Sequence, residues 1–518
     1  MQKMLKDIVI VGGGAAGWLC AARLAASFDL AESGMSVTLV EAPDIKNIGV
    51  GEGTWPSMRQ TLQRIGISED EFLACCEGSF KQGSKFVNWQ RGDGEYYYHP
   101  FTEPHAYQQL NLASVWQPSN GRFDDVVSPQ SALCDRHLAP KQLTTPEYAG
   151  VLSYGYHLNA GKFIELLKRY AVDKYGVKYV SAEVYEVVGT ADNIEYLRTE
   201  QAGNIYGDLF IDCSGLHGLL IDQHYQVPWI SAKRYLFNDS ALAMQVPYVD
   251  DKAPIQSATV ATARPAGWVW DIGLTSRRGV GHVYSSEFAE ESDIEHSLRD
   301  YLMQYAGLER SQAEQLEYRK ISFNPGHRER FWVGNCLAVG MSAGFIEPLE
   351  ATALVLVEMA ADMLCRELPR DANAMALVAK RYNSAFSQHW QQIIDFLKLH
   401  YVLNQRSEHY WHAHRQQNSI PESLQEHLQR WQSRAPWHED ATAALEMFPS
   451  ASYQYVLYGM GFAPPQSHFV TRQAMALREQ ASTLMANNIN TIKQLSEHLP
   501  TNRFLLEQVA SRVAQAKP

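Results

Sequence analysis

The 518-residue chain lacks the features that mark nucleic-acid-binding, disulfide-rich and metal-binding proteins. Its formal net charge is -12, and its Lys and Arg residues form no basic run that would follow a phosphate backbone. Nucleic acid is therefore not an expected partner. The seven cysteines are scattered and odd in number, so we predict neither a disulfide framework nor a zinc site, expect no other metal, and expect a reducing, cytoplasmic location.

Long apolar runs are also missing. The start, MQKMLKDIVIVGGG, passes from a short apolar run directly into glycines, without the long hydrophobic region and cleavage site of a secretory signal. The most apolar later stretch, residues 345–365, carries too much charge for a bilayer span. Its acids are Glu347, Glu350, Glu358 and Asp362. We therefore expect no membrane segment, and no internal repeat or low-complexity linker divides the chain.

A nucleotide-binding pattern is present near the start of the chain. An apolar run over residues 7–11 is followed by Gly12-x-Gly14-x-x-Gly17, then by a stretch rich in Ala and Leu, and a second apolar run ends at Glu41. This order of strand, glycine turn, helix and acid predicts dinucleotide binding. The glycines allow the backbone to approach a pyrophosphate, the helix N-terminus faces it, and Glu41 accepts hydrogen bonds from ribose hydroxyls.

NAD and FAD proteins share this pattern, and two later segments favour FAD. Residues 207–220 and 331–358 each give an apolar strand that ends in a turn of small residues, and the second leads into a long helix. Such turns returning late in a chain are typical of an FAD domain assembled from separated segments. A second glycine pattern with its own acid is missing, so we expect no bound nicotinamide to reduce the flavin.

The predicted fold class is α/β, with a Rossmann-like FAD-binding core, an antiparallel substrate sheet and a helical C-terminal region. The core is expected to be discontinuous within residues 1–365 and to be completed by helices over 366–518 that finish the substrate site. Its predicted nucleotide parts are residues 1–85, 155–226 and 330–365, with the sheet over 227–330. Residues 86–140 are rich in aromatic residues, Pro and Gly with little periodicity, which predicts long loops.

The phrase GWVWDIGL, residues 267–274, is unusual in an acidic chain. It places Trp268 and Trp270 one residue apart and hence on the same face of a strand. Aromatic residues on one strand face most often fill a core. The pattern alone therefore predicts a well-packed sheet and leaves any further role open.

The chain resembles the flavin-dependent tryptophan halogenase family in eight stretches, which occur in the family's order over residues 5–365. They are VGGGAAGWL, APDIKNIGVGEGTWP, GSFKQGSKFVNW, LFIDCSGLHGLLI, NDSALAMQVP, GWVWDIG, GHVYSSEF and WVGNCLAVGMSAGFIEPLEATA. The pairing of the nucleotide pattern with a W-x-W phrase identifies the family. The resemblance implies a core of the GR2, flavin monooxygenase-like type. It also implies an enzyme in which FADH2, O2 and chloride or bromide give hypohalous acid, which halogenates tryptophan, indole or a similar electron-rich ring.

The resemblance implies two essential side chains, Lys81 in SFKQGSKF and Glu350 in EPLEAT. Free hypohalous acid is unselective, so a site must hold the halogen beside one ring carbon. A lysine does so either as an ammonium that donates a hydrogen bond or as an amine that forms a haloamine. A carboxylate polarises the acid or accepts the ring proton. Glu350 also precedes an apolar helix, where acids commonly interact with the helix dipole, and Glu347 lies three residues earlier.

Further contacts follow from the same resemblance. Halide is expected at the backbone amides of Thr352 and Ala353, since consecutive N–H groups at a helix start form an anion site, and Ala353 stands where the family has glycine. His99 and Phe101 match the family's His-x-Phe and suit stacking of an indole. FAD is expected at Gly12, Gly14, Ala15, Ala16, Gly17, Glu41, Ala42, Gly51, Val184, Gly340, Met341 and Leu354.

The resemblance gives the two tryptophans a second interpretation, as a barrier. Trp268 and Trp270 would fill the space between flavin and substrate, so that substrate cannot reach the flavin. The family's phrase continues Ile-Pro, whereas this chain has Ile272-Gly273. Replacing proline by glycine removes a fixed φ and restores an N–H, which predicts a less rigid strand end.

A separate NAD(P)H-dependent flavin reductase is expected as a partner, and the resemblance alone implies a homodimer. Tryptophan-specific members hold the amino acid through a segment that corresponds to residues 438–462, and their Tyr pair and Glu have no clear counterparts in it. Indole or another electron-rich ring therefore competes with tryptophan as the substrate. Two other functions stay open: an FAD-dependent aromatic monooxygenase with its own NAD(P)H route, and a non-catalytic flavin-binding protein.

Overall fold

The computed structural model describes residues 4–43, 51–441, 446–464 and 472–516. The chain divides into two compact units, each assembled from three separate stretches. The first comprises Met1–Gly78, Leu158–Ala232 and Phe323–Trp390, and the second Ser79–His157, Lys233–Ser322 and Gln391–Pro518. Part of the family-like phrase APDIKNIGVGEGTWP, residues 44–50, and residues 442–445 of the C-terminal segment lie outside the described residues.

The first unit is built on a sheet in which six strands are described. Across the sheet they are Trp332–Val333, Cys336–Ala338, Leu209–Asp212, Asp7–Val11, Ser36–Glu41 and Lys178–Ser181. The edge pair Trp332–Val333 and Cys336–Ala338 is antiparallel, and every other pairing is parallel. Strand Asp7–Val11 is almost entirely buried, as expected of β-branched residues in a parallel sheet covered on both faces. The predicted Rossmann-like core is confirmed.

Shorter strands and helices complete the first unit. Its other strands are Glu52–Gly53, Val184–Gly189, Ile194–Thr199, Gly203–Tyr206, Trp229–Ser231, Gly326–Arg328 and Gly344–Phe345. Its α-helices are Ala15–Ser27, Leu30–Ser33, Ser57–Ile65, Glu69–Cys75, Ala160–Arg169 and Thr352–Arg366, and Ala372–Val402 begins here and ends in the second unit. Helix Ala15–Ser27 buries nine of its thirteen residues, because its small side chains allow close packing on the sheet.

The second unit contains a larger sheet with seven described strands. In order they are Tyr318–Ser322, Ser240–Pro247, Arg277–Tyr284, Gly267–Gly273, Thr259–Arg264, Gly83–Val87 and Tyr96–Pro100. All neighbours pair antiparallel except Thr259–Arg264 with Gly83–Val87. The antiparallel sheet is confirmed, but the prediction of long loops is wrong at Tyr96–Pro100. This strand, YYYHP, has aromatic residues on both faces and therefore shows no apolar-polar alternation.

The rest of the second unit is mainly helical. A short strand, Ser79–Lys81, pairs antiparallel with Gly155–Leu158. The α-helices are Phe123–Val127, Gln130–Cys134, Glu291–Tyr301, Arg310–Gln315, His409–Ala413, Glu422–Trp431, Ser450–Gly459, Arg472–His498 and Asn502–Ala516. The helical C-terminal region is confirmed. Within the described ranges, no helix combines the length and the hydropathy that crossing a bilayer requires.

Candidate active site

The glycine turn of the first unit follows the central strand Asp7–Val11. Gly12 has a φ of 116°, and a Cβ placed on it would lie 2.2 Å from the carbonyl oxygen of Cys213. A Cβ on Gly17 would lie 1.9 Å from the carbonyl oxygen of Gly12, whereas a Cβ on Gly14 would have no neighbour within 4 Å. The packing of the protein thus requires glycine at positions 12 and 17, while the space beside Gly14 is open to a ligand.

The helix Ala15–Ser27 begins directly after this turn. Gly14 precedes it and offers no capping side chain, and the first turn carries no acid. Its N–H groups and dipole therefore favour an anion. The carboxylate of Glu41, at the end of strand Ser36–Glu41, lies beside Gly13, where a Cβ would be 2.1 Å from the Glu41 side chain. Amides for a pyrophosphate and a carboxylate for ribose hydroxyls fit the adenosine diphosphate half of FAD.

A later turn reaches the same helix. Gly340 has a φ of 75°, and a Cβ on it would lie 2.8 Å from the Cβ of Ala16. Ser342 donates a hydrogen bond from Oγ to the carbonyl oxygen of Asp212 at 2.5 Å, which ties this turn to strand Leu209–Asp212. The structure therefore brings the predicted residue Gly340 against Ala16, the second residue of the helix after the glycine turn, and Met341 follows it directly.

The other predicted FAD residues occupy more scattered places in the first unit. Ala42 follows Glu41, Val184 begins a strand, Gly51 is buried at the start of a described range, and Leu354 is buried in helix Thr352–Arg366. Their assignment to FAD stays a prediction.

Asp212, the last residue of strand Leu209–Asp212, organises the turn that follows this strand, and the sequence interpretation missed it. Its buried carboxylate accepts hydrogen bonds from the N–H and Oγ of Ser214, at 3.0 and 2.6 Å, and from the N–H groups of Leu220 and Ile221, at 2.8 and 2.9 Å. Four donors satisfy both oxygens of this buried side chain. The available signal was an acid at the end of an otherwise apolar strand, FIDCSG.

Glu350 lies two residues before the start of helix Thr352–Arg366 in the first unit. Its side chain is 4% exposed, and that of Glu347 is 1% exposed. The backbone carbonyl of Glu350 accepts a hydrogen bond from Nε1 of Trp55 at 2.7 Å, a contact that the sequence interpretation missed. The segment Ile346–Glu350 is thus held partly by a side chain that comes from almost three hundred positions earlier.

The start of helix Thr352–Arg366 has the geometry of an anion site. The preceding residue, Ala351, adopts a left-handed backbone with a φ of 54° and offers no capping side chain. The N–H groups of Thr352 and Ala353 belong to the first turn, where no intrahelical acceptor exists. Thr352 is buried and Ala353 is exposed. The methyl group of Ala353 therefore leaves the helix start approachable, and a halide fits both predicted amides.

Lys81 lies on strand Ser79–Lys81 of the second unit and is only 1% exposed. Its cross-strand partner is Gly155, which has no side chain to compete for the space. Its Nζ lies 5.3 Å from the ring centroid of Phe101. Lys85, four residues later, is 23% exposed and pairs with Asp135 at 2.6 Å. Burying an ammonium is costly, so the two lysines differ in a way that solvation of a surface charge does not explain.

The predicted substrate residue His99 lies in an aromatic cluster of the second unit. Its Nε2 is 2.9 Å from Oγ of Ser452, and its ring centroid is 5.5 Å from that of Phe396 and 6.3 Å from that of Tyr455. Ser452 and Tyr455 belong to helix Ser450–Gly459, inside the segment where no counterpart of the family's residues was found. The C-terminal region therefore contributes a polar side chain to His99 that the sequence interpretation missed.

Trp268 and Trp270 are both buried on strand Gly267–Gly273, with ring centroids 6.5 Å apart. Trp270 lies directly across from Gly281, and a Cβ on Gly281 would be 2.1 Å from the indole of Trp270. Trp268 is 6.1 Å from Trp89, measured between ring centroids. Both indoles are therefore buried, and Gly281 is the residue that makes room for the second one.

The comparisons with known proteins concern the chain as a whole. A model of the tryptophan halogenase family, described as "Tryptophan halogenase", matches residues 7–476. The chain belongs to the tryptophan halogenase family. This halogenase is 32% identical to tryptophan 6-halogenase SttH of Streptomyces toxytricini, over 98% of this chain and 96% of that protein.

Two solved structures are similar over nearly their whole length. The crystal structure of a tryptophan halogenase from Shewanella frigidimarina NCIMB 400 has a TM-score of 0.94 and 46% identity, covering 99% of this chain and 98% of that one. Tar14, a tryptophan C-6 flavin-dependent chlorinase from taromycin biosynthesis, has a TM-score of 0.89 and 30% identity, covering 97% and 99%. The resemblance seen in the sequence is confirmed, and the chain is a flavin-dependent halogenase.

The glycine turn of this halogenase allows a matched test. We expect Gly14→Ala to leave the melting temperature of the flavin-free protein unchanged but to lower FAD affinity by at least about tenfold, since its methyl group would enter the ligand's space. Gly17→Ala should destabilise the protein itself by about 1–3 kcal/mol, because its methyl group meets the Gly12 carbonyl. Thermal unfolding and FAD fluorescence titration measure both. Unchanged FAD affinity of Gly14→Ala would contradict the predicted position of the pyrophosphate.

Glu358, on helix Thr352–Arg366, gives a prediction about pH. It accepts hydrogen bonds from Ser57 and Thr61, and burial raises its pKa from 4.5 to about 8. Between these values the unfolded chain loses a proton that the native protein keeps, so native stability falls by about 1.4 kcal/mol for each pH unit. Glu358→Gln removes this slope. Urea unfolding of both proteins at pH 5.5 and 7.5 should show that the variant's free energy of unfolding rises relative to that of the wild type as pH rises. The same pH dependence in both proteins would refute this prediction.

Proposed function

We propose that this halogenase replaces one ring hydrogen of tryptophan or a related indole by chlorine or bromine. When bound, FADH2 supplies hypohalous acid from O2 and halide. The single observation that carries the proposal is the burial of Lys81, an amine held at 1% exposure beside the ring of Phe101. A buried amine next to an aromatic ring suits the capture of an electrophile away from water.

Lys81 is proposed to hold the hypohalous acid. As an ammonium it donates a hydrogen bond to the oxygen of the acid. As an amine its nitrogen bonds to the halogen, which gives a haloamine and releases the oxygen as water. In either form, π electrons of the substrate ring form the new carbon–halogen bond. The covalent halogen–oxygen or halogen–nitrogen bond breaks, and its electron pair stays on oxygen or nitrogen. Exclusion of water around Lys81 keeps the halogen from diffusing away before this step.

Glu350 is proposed to accept the proton that leaves the ring as aromaticity returns. A carboxylate is suited to this task because it is a weak base that recovers its charge when the proton passes to solvent. The hydrogen bond from Trp55 to its backbone carbonyl supports the assignment, since it fixes the segment that carries the carboxylate. Thr352 and Ala353 are proposed to bind the halide through their N–H groups.

Trp268 and Trp270 are proposed to keep substrate from the flavin. The burial of both indoles and the place of Trp270 against Gly281 support a role that depends on volume. His99, with Phe101, is proposed to stack on the indole, and Ser452 holds the imidazole in place through their contact at 2.9 Å.

A test combines the purified protein with a separate NAD(P)H-dependent flavin reductase, FAD, O2 and either chloride or bromide. Tryptophan, indole and substituted indoles are offered separately, and products are identified by mass. We expect one hydrogen to be exchanged for halogen, and the halide competition gives the preference. NADPH added without the reductase should leave FAD oxidised. Rapid flavin reduction by the protein itself, with a hydroxylated product, would replace this proposal by the aromatic monooxygenase.

A further inference from the structure

A chain of hydrogen bonds lies beside Lys81 within the second unit and has no part in the steps proposed above. Oγ1 of Thr259 is 2.8 Å from Nε2 of His157, Nδ1 of His157 is 3.4 Å from Oγ of Ser79, and Ser79 donates from Oγ to the carbonyl oxygen of Gly273 at 2.5 Å. His157, Ser79 and Thr259 are all buried. Gly273 is the last residue of the strand that carries Trp268 and Trp270.

The direction of this chain follows from its ends. The carbonyl of Gly273 only accepts, so the Ser79 hydroxyl is the donor and its oxygen is left to accept from Nδ1–H of His157. Nε2 of the neutral ring then accepts from the hydroxyl of Thr259. Burial, and after it the charge of Lys81, holds the pKa of His157 well below its usual value, so the ring is neutral.

The register places this chain on the Lys81 side of its strand. Ser79 lies directly across from His157 and Lys81 across from Gly155, so Lys81, Ser79 and His157 share one face of the strand pair. On the other side of Lys81, the N–H of Gln82 donates to the carbonyl oxygen of Ser257 at 2.7 Å. The strand is thus fixed at both ends, and the end at Ser79 is the one joined to the tryptophan strand.

We propose that His157 is a positioning residue for halogenation, which holds the Lys81 strand at a fixed distance from the Trp268–Trp270 strand through Ser79 and Gly273. The inference rests on the proposed role of Lys81. Imidazole suits this task because its two nitrogens face opposite neighbours across a rigid ring, with one donor and one acceptor. If the ring is lost, the amine of Lys81 is no longer held in register, and hypohalous acid escapes before it meets the substrate.

The informative readout is coupling, the fraction of hypohalous acid that appears as halogenated substrate. His157→Asn keeps one amide in the space but cannot reach both neighbours, and Ser79→Ala removes the link to Gly273. Each should lower coupling by about tenfold, because a small misplacement of a reacting group costs up to about a hundredfold. Escaped acid is measured with a halogen-trapping diketone. The total amount of hypohalous acid formed and the KM for substrate should stay at wild-type values.

The control is His282→Asn, which removes an equally buried imidazole from the neighbouring sheet strand Arg277–Tyr284. It should lose stability without loss of coupling. The double variant His157→Asn with Ser79→Ala should couple no worse than the poorer single variant, because both changes break one chain. Wild-type coupling in His157→Asn, or multiplied losses in the double variant, would overturn the inference.

If His157→Asn does not fold, Ser79→Ala and Thr259→Val decide alone, since each removes one hydroxyl. Full coupling in both would overturn the inference. The variant Lys81→Met separates the inference about His157 from the proposed function. If that variant still halogenates, the role of Lys81 is wrong. If it does not halogenate while the variants of the hydrogen-bond chain couple fully, only the inference about His157 fails.

Discussion

Lys81→Met is expected to abolish halogenated product, with turnover lowered by at least about a thousandfold, the range seen when a group that acts directly on the reacting atoms is removed. Methionine matches lysine in length and packs well where the side chain is buried, so the fold should persist. FAD affinity should be unchanged, because Lys81 lies in the second unit, outside the glycine turn. The measurement is product mass per FADH2 consumed, with a separate reductase.

The chain supplies the control. Lys85→Met removes a lysine four residues away that is partly exposed and pairs with Asp135, and its product yield should stay within about twofold of wild type, as expected of a surface ion pair. The trapping diketone should still report hypohalous acid from Lys81→Met. Product from Lys81→Met at the Lys85→Met level would remove the mechanism proposed for this amine.

The parts of the molecule that the sequence predicted correctly depend on neighbours along the chain. Gly12, Gly14 and Gly17 predict a strand, a turn and a helix within a short stretch of sequence. The structure explains Gly12 and Gly17 by close backbone contacts within the protein. The alternation of strands after residue 227 and the helices near the C-terminus are local patterns as well. These confirmed predictions made the α/β fold class accessible without a structure.

The missed residues depend on contacts between distant parts of the chain. Trp55 reaches the carbonyl of Glu350, and Ser452 reaches His99, across about three hundred positions or more. Local sequence patterns do not predict contacts between residues so far apart in the chain. The burial of Lys81 is of the same kind, since SFKQGSKF reads as a largely polar stretch and only the pairing with Gly155 shows why an amine fits there. The aromatic strand Tyr96–Pro100 was missed for a different reason, because both its faces are covered.

Glu350→Gln is expected to lower turnover by about a hundredfold, the low end of what a positioned base contributes. Glutamine keeps the shape and the hydrogen-bonding oxygen, but it cannot accept the ring proton. Proton removal should then become slow, so a substrate deuterated at the reacting carbon should show a primary isotope effect that the wild type does not show.

Glu347→Gln is the matched control, because Glu347 is at least as buried as Glu350, 1% against 4% exposed, and lies in the same segment. Its turnover should stay within about threefold of wild type, and its isotope effect should be absent. If the two variants behave alike, the effect of Glu350 comes from the charge of the segment before helix Thr352–Arg366, and the ring proton leaves to another base. If only Glu350→Gln shows the isotope effect, the carboxylate itself takes the proton, since loss of a buried charge alone would not make carbon–hydrogen cleavage limit the rate.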